Sequence, residues 1–301
     1  MTRRLSALAS IVVSFAPALL GACDAPSAPP SPGQAEAEPE VEPEDDLDQP
    51  APAPAPEECH ETPAVLPRVV FVLDRSSSMD AGGFESGEPR GPGERSRWAL
   101  LHAAVTEAAT VLEGEAQLGA VLFPSSFADI NRDAACDALS VPEVPVGPYT
   151  ARQLLKRLPR ADATGFYGGS PVQAAYTTAL EHLATLGEGV PAAIVLVTDG
   201  GANCVGETDL AGVPDPELAE LVAFARSSRG ISTFAVGVDV DDAMLERPLV
   251  NPDAALREIA RAGGVARGGS GYFSANNPAP LVEALAEFAA SAQVPARTTC
   301  P

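Results

Sequence analysis

A predicted strand and a set of polar side chains follow each other directly in one segment, Arg68-Val-Val-Phe-Val-Leu-Asp74-Arg-Ser76-Ser-Ser78-Met79. Residues 69–73 are β-branched, aromatic or aliphatic, which predicts a buried β-strand. The strand ends at a carboxylate, and hydroxyl groups follow at two-residue spacing. In open parallel α/β sheets, ligands collect beyond the carboxyl ends of the strands. A loop at that position carrying Asp74, Ser76 and Ser78 offers the hard oxygen ligands that Mg²⁺ prefers.

After this segment, helix patterns alternate with strand patterns. The predicted helices and strands after the first strand include residues 98–114, 118–123, 172–183, 192–197 and 231–238. This alternation predicts an α/β domain over residues 63–301, with a single doubly wound, mostly parallel sheet and helices on both faces. Residues 80–97 are predicted to form an exposed loop, and residues 124–150 are predicted to be irregular.

Further polar groups follow the strand at 192–197 and precede the helix at 172–183. Asp199 lies in Thr198-Asp199-Gly200, and Ser170 lies in Gly168-Gly169-Ser170. Buried strand ends rarely carry unpaired carboxylates, so we interpret Asp74 and Asp199 as functional. Ser170 is a candidate ligand and Thr164 is the alternative to it. Because Pro171 follows, Ser170 would also suit a helix cap that needs no metal.

These three motifs together resemble the metal-ion-dependent adhesion site of von Willebrand factor type A domains, and the resemblance extends over residues 66–293. It implies a divalent cation, Mg²⁺ or another such as Mn²⁺ or Ca²⁺, and a protein or surface partner whose acidic side chain completes the coordination. Family members carry Thr where this chain has Ser170, and Ser keeps the oxygen. Arg75 departs from the pattern, and its side chain is expected to point away. The implied metal ligands are Asp74, Ser76, Ser78, Ser170 and Asp199.

The amino terminus predicts export and lipid anchoring. Arg3 and Arg4 precede an apolar run that ends in Leu20-Gly21-Ala22-Cys23, like the lipobox of bacterial lipoproteins. We therefore assign residues 1–23 to a lipoprotein signal peptide and Cys23 to the lipidation site, which places the protein at the bacterial cell envelope. An ordinary signal peptide with an incidental Cys is the alternative. The run is shorter than a membrane span requires, so membrane contact is expected through the anchor only.

Residues 24–62 predict a disordered acidic linker that is rich in Pro, Ala and Glu. They contain ten Pro, twelve Asp or Glu, and no Lys or Arg. Such a segment cannot bury enough apolar surface to offset its chain entropy. The whole chain has a net charge of −22, and no Lys/Arg cluster interrupts the acidic character of residues 63–301. Nucleic acid is therefore not an expected partner, because its phosphates require basic contacts.

Four further cysteines, Cys59, Cys136, Cys204 and Cys300, predict two disulfide bonds in an exported protein, with three possible connectivities. The family resemblance implies that the chain ends lie close together, which favours a Cys59–Cys300 pair. Cys204 follows the strand that ends before Asp199, and Cys136 lies in the long loop after the second strand. A Cys136–Cys204 bond would therefore fix loops near the predicted site.

Enzyme motifs are not found in the sequence. There is no Gly-x-Ser-x-Gly elbow and no Walker-type phosphate loop. The sequence thus predicts a cation-dependent binding domain and not an enzyme. A metal-independent structural module of a cell-envelope assembly is the alternative, and a hydrolase with an unrecognised site is the third hypothesis. An acidic cluster at Asp239, Asp241 and Asp242 is interpreted as an exposed loop, with a second cation site as the alternative.

Overall fold

The computed structural model describes residues 60–62, 64–80, 95–125, 135–200, 202, 204, 217–240, 251–266 and 271–299. They belong to the second of two units into which the chain divides, Pro56–Pro301. The predicted signal peptide with Cys23, residues 24–59 of the predicted linker, Cys59 and Cys300 all lie outside the described residues. Among the described helices, none is long and apolar enough to cross a membrane.

Strands and helices alternate along most of the described chain. The strands are β1 (His60–Thr62), β2 (Arg68–Asp74), β3 (Gln117–Phe123), β4 (Val144–Gly147), β5 (Ala192–Thr198), β6 (Ser232–Gly237), β7 (Phe273–Ser274) and β8 (Arg297–Thr299). The helices are α1 (Arg97–Val111), α2 (Ala151–Leu155), α3 (Val172–Thr185), α4 (Leu218–Arg229), α5 (Pro252–Gly263) and α6 (Ala279–Ala292).

Six of the strands form one sheet in the order β4-β3-β2-β5-β6-β7. The central strand β2 pairs in parallel with β3 and β5, and the β5–β6 and β6–β7 pairs are parallel as well. Of the pairs in this sheet, β3–β4 alone is antiparallel. The predicted mostly parallel α/β sheet is confirmed.

Helices cover both faces of the sheet. Alternate residues of β2 point to opposite sides, so this strand contributes to a core on each face. Val69, Phe71 and Leu73 pack into a core with side chains of α1, α2 and α6. Val70 and Val72 pack into a second core with α3, α4 and α5. All five side chains are fully buried, and each contributes about 1.5–3 kcal/mol relative to exposure. The predicted arrangement of helices on both faces is therefore confirmed.

The edge strand β4 lies in a region that the sequence predicted to be irregular. It contains a proline, and Pro in a sheet is confined to edges and bulges because it cannot donate a ladder hydrogen bond. Gly119 of β3 lets β4 approach closely, since a Cβ atom there would lie 2.9 Å from Val146 Cγ2 and 3.0 Å from the Val144 carbonyl oxygen. The prediction of an irregular segment was wrong for these four residues. The sequence missed the strand because no apolar run marks it.

The two ends of the domain pair with each other. His60 pairs with Thr299 in the antiparallel β1–β8 ladder, and Val65 exchanges backbone hydrogen bonds with Val294. The predicted disordered linker therefore ends before residue 60, because the last three residues assigned to it form β1. Their polar backbone groups find partners in β8, a contact that composition cannot reveal. The predicted closeness of the chain ends agrees with this pairing, and the Cys59–Cys300 bond stays a prediction.

Candidate metal centre

The two carboxylates singled out by the sequence lie at the carboxyl ends of neighbouring parallel strands. Leu73 of β2 pairs with Val197 of β5, so Asp74 and Asp199 follow at the same edge of the sheet. Both are buried, with 0% and 7% of their surface exposed. This edge is formed by the carboxyl ends of the strands, where α/β sheets place their ligands.

The loop after β2 turns its two predicted serine ligands toward each other. The Ser76 amide donates to Asp74 Oδ1 at 2.8 Å, and the Ser76 and Ser78 hydroxyl oxygens lie 3.0 Å apart. A 3₁₀ turn at Ser77–Met79 buries the Met79 side chain and so holds the loop against the core. Asp74, Ser76 and Ser78 therefore form one buried cluster of oxygen atoms, as their spacing predicted.

Ser170 reaches the same edge of the sheet on a third loop. The Ser77 amide donates to the Gly168 carbonyl oxygen at 3.2 Å, and the Gly169 amide donates to the Ala135 carbonyl oxygen at 2.7 Å. Ser170 is 2% exposed, whereas its alternative, Thr164, is exposed to solvent. The structure thus places Ser170, rather than Thr164, among the buried polar side chains. Helix α3 has Pro171 at its N-cap position, one residue later than capping by Ser170 predicts.

Burial and like charge act together on Asp74. Its pKa is raised to about 7, first by burial and second by the negative charge of Asp199, against hydrogen bonds from Ser76 and Thr198. Two ionised carboxylates in a buried site repel each other and lose hydration. A positive charge beside them would stabilise their ionised forms.

The side chain of Thr198 contacts the site directly, which the sequence analysis missed. Its hydroxyl donates to Asp74 Oδ2 at 2.7 Å and accepts from the Gly200 amide at 3.1 Å. In the sequence analysis, Thr198 was named only as part of the Thr198-Asp199-Gly200 tripeptide and was given no role at the site. Its place next to Asp199 in the Thr-Asp-Gly tripeptide is the signal that could have identified it.

We expect Thr198→Val to lower the free energy of unfolding by about 1–3 kcal/mol, because a buried carboxylate oxygen and a buried amide each lose a partner. Thr178→Val is the matched control, since the buried Thr178 hydroxyl donates to the uncharged Leu139 carbonyl at 2.7 Å. Urea denaturation of both variants measures the difference. Equal losses for the two variants would contradict a special role of Thr198 toward Asp74.

Arg97 is the second residue of this site that the sequence analysis missed. It was assigned to an exposed loop, but it is the first residue of α1, and its Nη1 donates to Asp199 Oδ2 at 3.1 Å. The same nitrogen donates to the Ser78 carbonyl oxygen at 3.4 Å, and Nε lies 3.8 Å from Asp239 Oδ2. Asp239 therefore borders the site, whereas Asp241 and Asp242 lie outside the described residues. No local pattern could reveal the Arg97–Asp199 contact, which spans 102 residues.

Arg75 points toward the β3–β4 side of the sheet, as the sequence predicted from its place after Asp74. Its Nε donates to the Pro124 carbonyl oxygen at 2.8 Å, and its Nη2 lies 3.8 Å from Glu143 Oε1. Glu143 in turn accepts the Leu122 amide at 2.9 Å. These partners hold the Arg75 guanidinium next to the end of β3 and the start of β4.

A disulfide bond joins two loops beside the site. Cys136 and Cys204 are bonded, with a Cα–Cα distance of 5.7 Å, so this predicted pair is confirmed. Ala135, next to Cys136, accepts the hydrogen bond from Gly169. The disulfide loop therefore supports the segment that carries Ser170.

The donor set fits a hard divalent cation. Within the described ranges there is no group of three or more His, Cys, Asp and Glu side chains that could hold a metal, which leaves two carboxylates and three hydroxyls as the candidates. All five side chains are buried at one edge of the sheet. Oxygen atoms of this kind suit Mg²⁺, Mn²⁺ or Ca²⁺ and not the softer transition metals.

No protein family model matches the sequence, and no curated protein is similar to it in sequence. Solved structures do match. The pilus adhesin SpaC from Lactobacillus rhamnosus GG has a TM-score of 0.51 at 14% identity, over 76% of this chain and 31% of that chain. A von Willebrand factor type A protein from Catenulispora acidiphila has a TM-score of 0.41 at 16% identity, over 79% and 47%. The fold is von Willebrand factor A-like.

The chain with this von Willebrand factor A-like fold covers a different fraction of the length of each structural neighbour. Manganese-loaded TRAP protein of Plasmodium vivax has a TM-score of 0.49 at 16% identity, over 81% of this chain and 82% of TRAP. The chain spans less than half of the SpaC and Catenulispora chains. At these identities the likeness is one of fold, so the function of the A-like domain has to be argued from its own side chains.

Proposed function

We propose that this protein is an exported, lipid-anchored binding domain that recognises a protein or surface ligand with the help of a divalent cation. One observation carries the proposal: two carboxylates and three serine hydroxyls are buried together at one edge of the sheet. They come from the ends of β2 and β5 and from the loop before α3. Two ionised carboxylates buried in one site repel each other, and a bound divalent cation would offset that repulsion.

Asp74, Ser76, Ser78, Ser170 and Asp199 are the residues that would hold the cation, directly or through water. The two carboxylates balance the charge of a divalent ion, and the hydroxyls add no charge. When bound, Mg²⁺ supplies a coordination position that exchanges with solvent, since it keeps several waters. An Asp or Glu side chain of the partner suits that position. The site is thus proposed for recognition rather than catalysis, and Mn²⁺ or Ca²⁺ are the alternatives to Mg²⁺.

One contact favours a second candidate, a metal-independent structural module of a cell-envelope assembly. Arg97 already forms an ion pair with Asp199 at 3.1 Å, so part of the negative charge is balanced within the chain. In this alternative, the polar cluster would serve only to fix the three loops. The two candidates differ in whether recognition depends on a divalent cation.

Capture of a partner from an envelope extract distinguishes the two candidates. The purified full-length protein and its Asp74→Asn variant are each tested with Mg²⁺ and with chelator. We expect wild type to retain a partner in Mg²⁺ and to lose it in chelator, and the variant to retain it in neither. The same partner in all four conditions would favour the structural module.

Export is supported by the Cys136–Cys204 bond, because disulfides form and persist in oxidising compartments. We further propose that Cys23 carries the lipid anchor, on the sequence Leu20-Gly21-Ala22-Cys23.

We expect Cys23→Ser to release the protein from the membrane fraction and to abolish labelling with a radioactive fatty acid. A single acyl chain binds membranes only weakly, and stable anchoring takes more than one chain, so loss of the acylated Cys should free the protein. Cys300→Ser is the control, since it removes a thiol without touching the proposed lipobox. Unchanged labelling of the Cys23 variant would contradict the anchor.

A further inference from the structure

A cationic side chain of the chain itself lies against the proposed cation site. Arg97 Nη1 donates both to Asp199 Oδ2 at 3.1 Å and to the Ser78 carbonyl oxygen at 3.4 Å. Asp199 and Ser78 are two of the five proposed ligand residues. One guanidinium nitrogen is therefore hydrogen-bonded to the Asp199 carboxylate oxygen that the cation would bind directly or through water.

The Arg97–Asp199 ion pair lies at the boundary between the buried site and solvent. The side chain of Arg97 is 22% exposed, whereas that of Asp199 is only 6% exposed. Arg97 Nε is buried and makes no hydrogen bond among the described residues, since Asp239 Oδ2 lies 3.8 Å away. A buried donor without an acceptor is unfavourable. Moving the guanidinium toward solvent would therefore satisfy Nε while releasing Asp199.

The backbone of Arg97 is held in place by its neighbours on either side. Arg97 opens α1, where the Ser96 hydroxyl caps the helix by accepting the Ala99 amide at 3.0 Å. The next residue, Trp98, is fully buried and donates from Nε1 to the Arg160 carbonyl oxygen at 2.8 Å. The positive charge of Arg97 is thus tethered beside the site.

We infer that Arg97 is a tethered cation that competes with the divalent cation for Asp199. This inference rests on the proposed function of the site. Two positive charges repel strongly at a site of reduced dielectric, so binding of the divalent ion requires the guanidinium to leave Asp199 Oδ2. Arg97 thereby sets the cation concentration at which the site is half-filled, and it keeps Asp199 paired when divalent cations are scarce.

Calorimetric titration of Mg²⁺ into the purified protein tests the competition, because competition predicts that removing the Arg97 charge raises the Mg²⁺ affinity. We expect Arg97→Gln to bind Mg²⁺ about tenfold more tightly than wild type or better. An adjacent cation lowers the proton affinity of a carboxylate by about one to three powers of ten, and the charge of Arg97 opposes a metal cation in the same way. Arg160→Gln is the matched control, since the exposed Arg160 side chain pairs with the exposed Asp162 and not with a proposed ligand. It should bind Mg²⁺ as wild type does.

Thermal unfolding gives an independent signature of the same exchange. In chelator, Arg97→Gln should unfold at a lower temperature than wild type, because Asp199 loses its ion pair with Arg97. In Mg²⁺, the unfolding temperature of the variant should rise more than that of wild type, since tighter binding stabilises the folded state more. If Arg97 instead supported metal binding, Mg²⁺ would raise the unfolding temperature of wild type more than that of the variant.

Nuclear magnetic resonance of the wild-type protein keeps the inference testable if the variant does not fold. We expect the Arg97 Nε–H resonance to shift and its hydrogen exchange to accelerate as Mg²⁺ is added. The inference alone is overturned if wild type binds Mg²⁺ while this resonance is unchanged, or if Arg97→Gln binds equally or more weakly. If neither wild type nor Arg97→Gln binds Mg²⁺, the proposed function fails and the inference falls with it.

Discussion

Asp74→Asn should abolish the binding of divalent cations while the fold persists. The substitution removes one of the two proposed charged ligands but keeps the size of the side chain and one carbonyl oxygen to accept a hydrogen bond. Asp74 accepts hydrogen bonds from the Ser76 amide and the Thr198 hydroxyl and is fully buried. Alanine would leave both donors without a partner, so Asn tests the charge with the smaller structural disturbance.

The stability of this variant in chelator should equal or exceed that of wild type. The pKa of Asp74 is raised to about 7 by burial and by the charge of Asp199, so its ionised form is unfavourable in the absence of a cation. Removing that charge relieves the repulsion. In chelator, we expect the variant to unfold at the same temperature as wild type or higher. Added Mg²⁺ should raise the unfolding temperature of wild type but not that of the variant.

Asp162→Asn is the matched control for this experiment. Asp162 is an exposed residue that pairs with Arg160 at 3.0 Å, and its substitution changes the net charge by the same amount. It should leave both Mg²⁺ binding and the unfolding temperature unchanged. Mg²⁺ binding by Asp74→Asn at the affinity of wild type would contradict the proposed ligand set.

The second large effect is expected from the disulfide beside the site. Replacing both Cys136 and Cys204 with Ser should lower the free energy of unfolding by about 2–4 kcal/mol, because the bond restricts a long stretch of the unfolded chain. The two cysteines are 68 residues apart. Thermal unfolding of the double variant, compared with wild type under oxidising conditions, measures the loss.

The same double variant should also bind Mg²⁺ more weakly, by about tenfold, a loss typical of outer-shell changes at metal sites. Ala135, next to Cys136, accepts the Gly169 amide, and Gly169 precedes Ser170. A looser disulfide loop therefore loosens the position of that proposed ligand. Calorimetric titration measures the change, and an unchanged Mg²⁺ affinity would contradict the coupling.

A Cys59→Ser/Cys300→Ser double variant serves as the control for that coupling. These cysteines neighbour β1 and β8 in sequence, and β1 precedes the amino end of β2, whereas the site follows its carboxyl end. Loss of their predicted bond should lower stability without changing Mg²⁺ affinity. Peptide mapping under non-reducing conditions checks the pairing itself, and a Cys59–Cys136 peptide would contradict it.

The sequence predicted those parts of the structure that depend on local pattern. The continuous apolar run at residues 69–73 assigned Phe71 and Val72 to a buried strand, and sheets covered on both faces require such strands. The two-residue spacing of Asp74, Ser76 and Ser78 placed three polar groups on one loop. Asp199 was found because it follows an apolar strand, as Asp74 does. These features are encoded within a few residues of each other.

Features that depend on distant contacts could not be predicted. Arg97 follows a polar segment, and only the folded chain brings its guanidinium to Asp199. The hydroxyl of Thr198 turns toward Asp74 because β2 and β5 are neighbours in the sheet. The edge strand β4 has no apolar run of its own, and it forms because Gly119 on β3 permits a close approach. Each of these features is decided by tertiary packing rather than by propensity.

The most direct measurement is the anomalous scattering of crystals of this protein grown with Mn²⁺, which can replace Mg²⁺ at oxygen-rich sites. We predict one strong peak at bonding distance from the Ser76 and Ser78 hydroxyls and near Asp74, Ser170 and Asp199, with the Arg97 guanidinium displaced from Asp199. A peak elsewhere, or none at saturating Mn²⁺ with the Arg97–Asp199 pair intact, would contradict a divalent-cation site at this edge of the sheet.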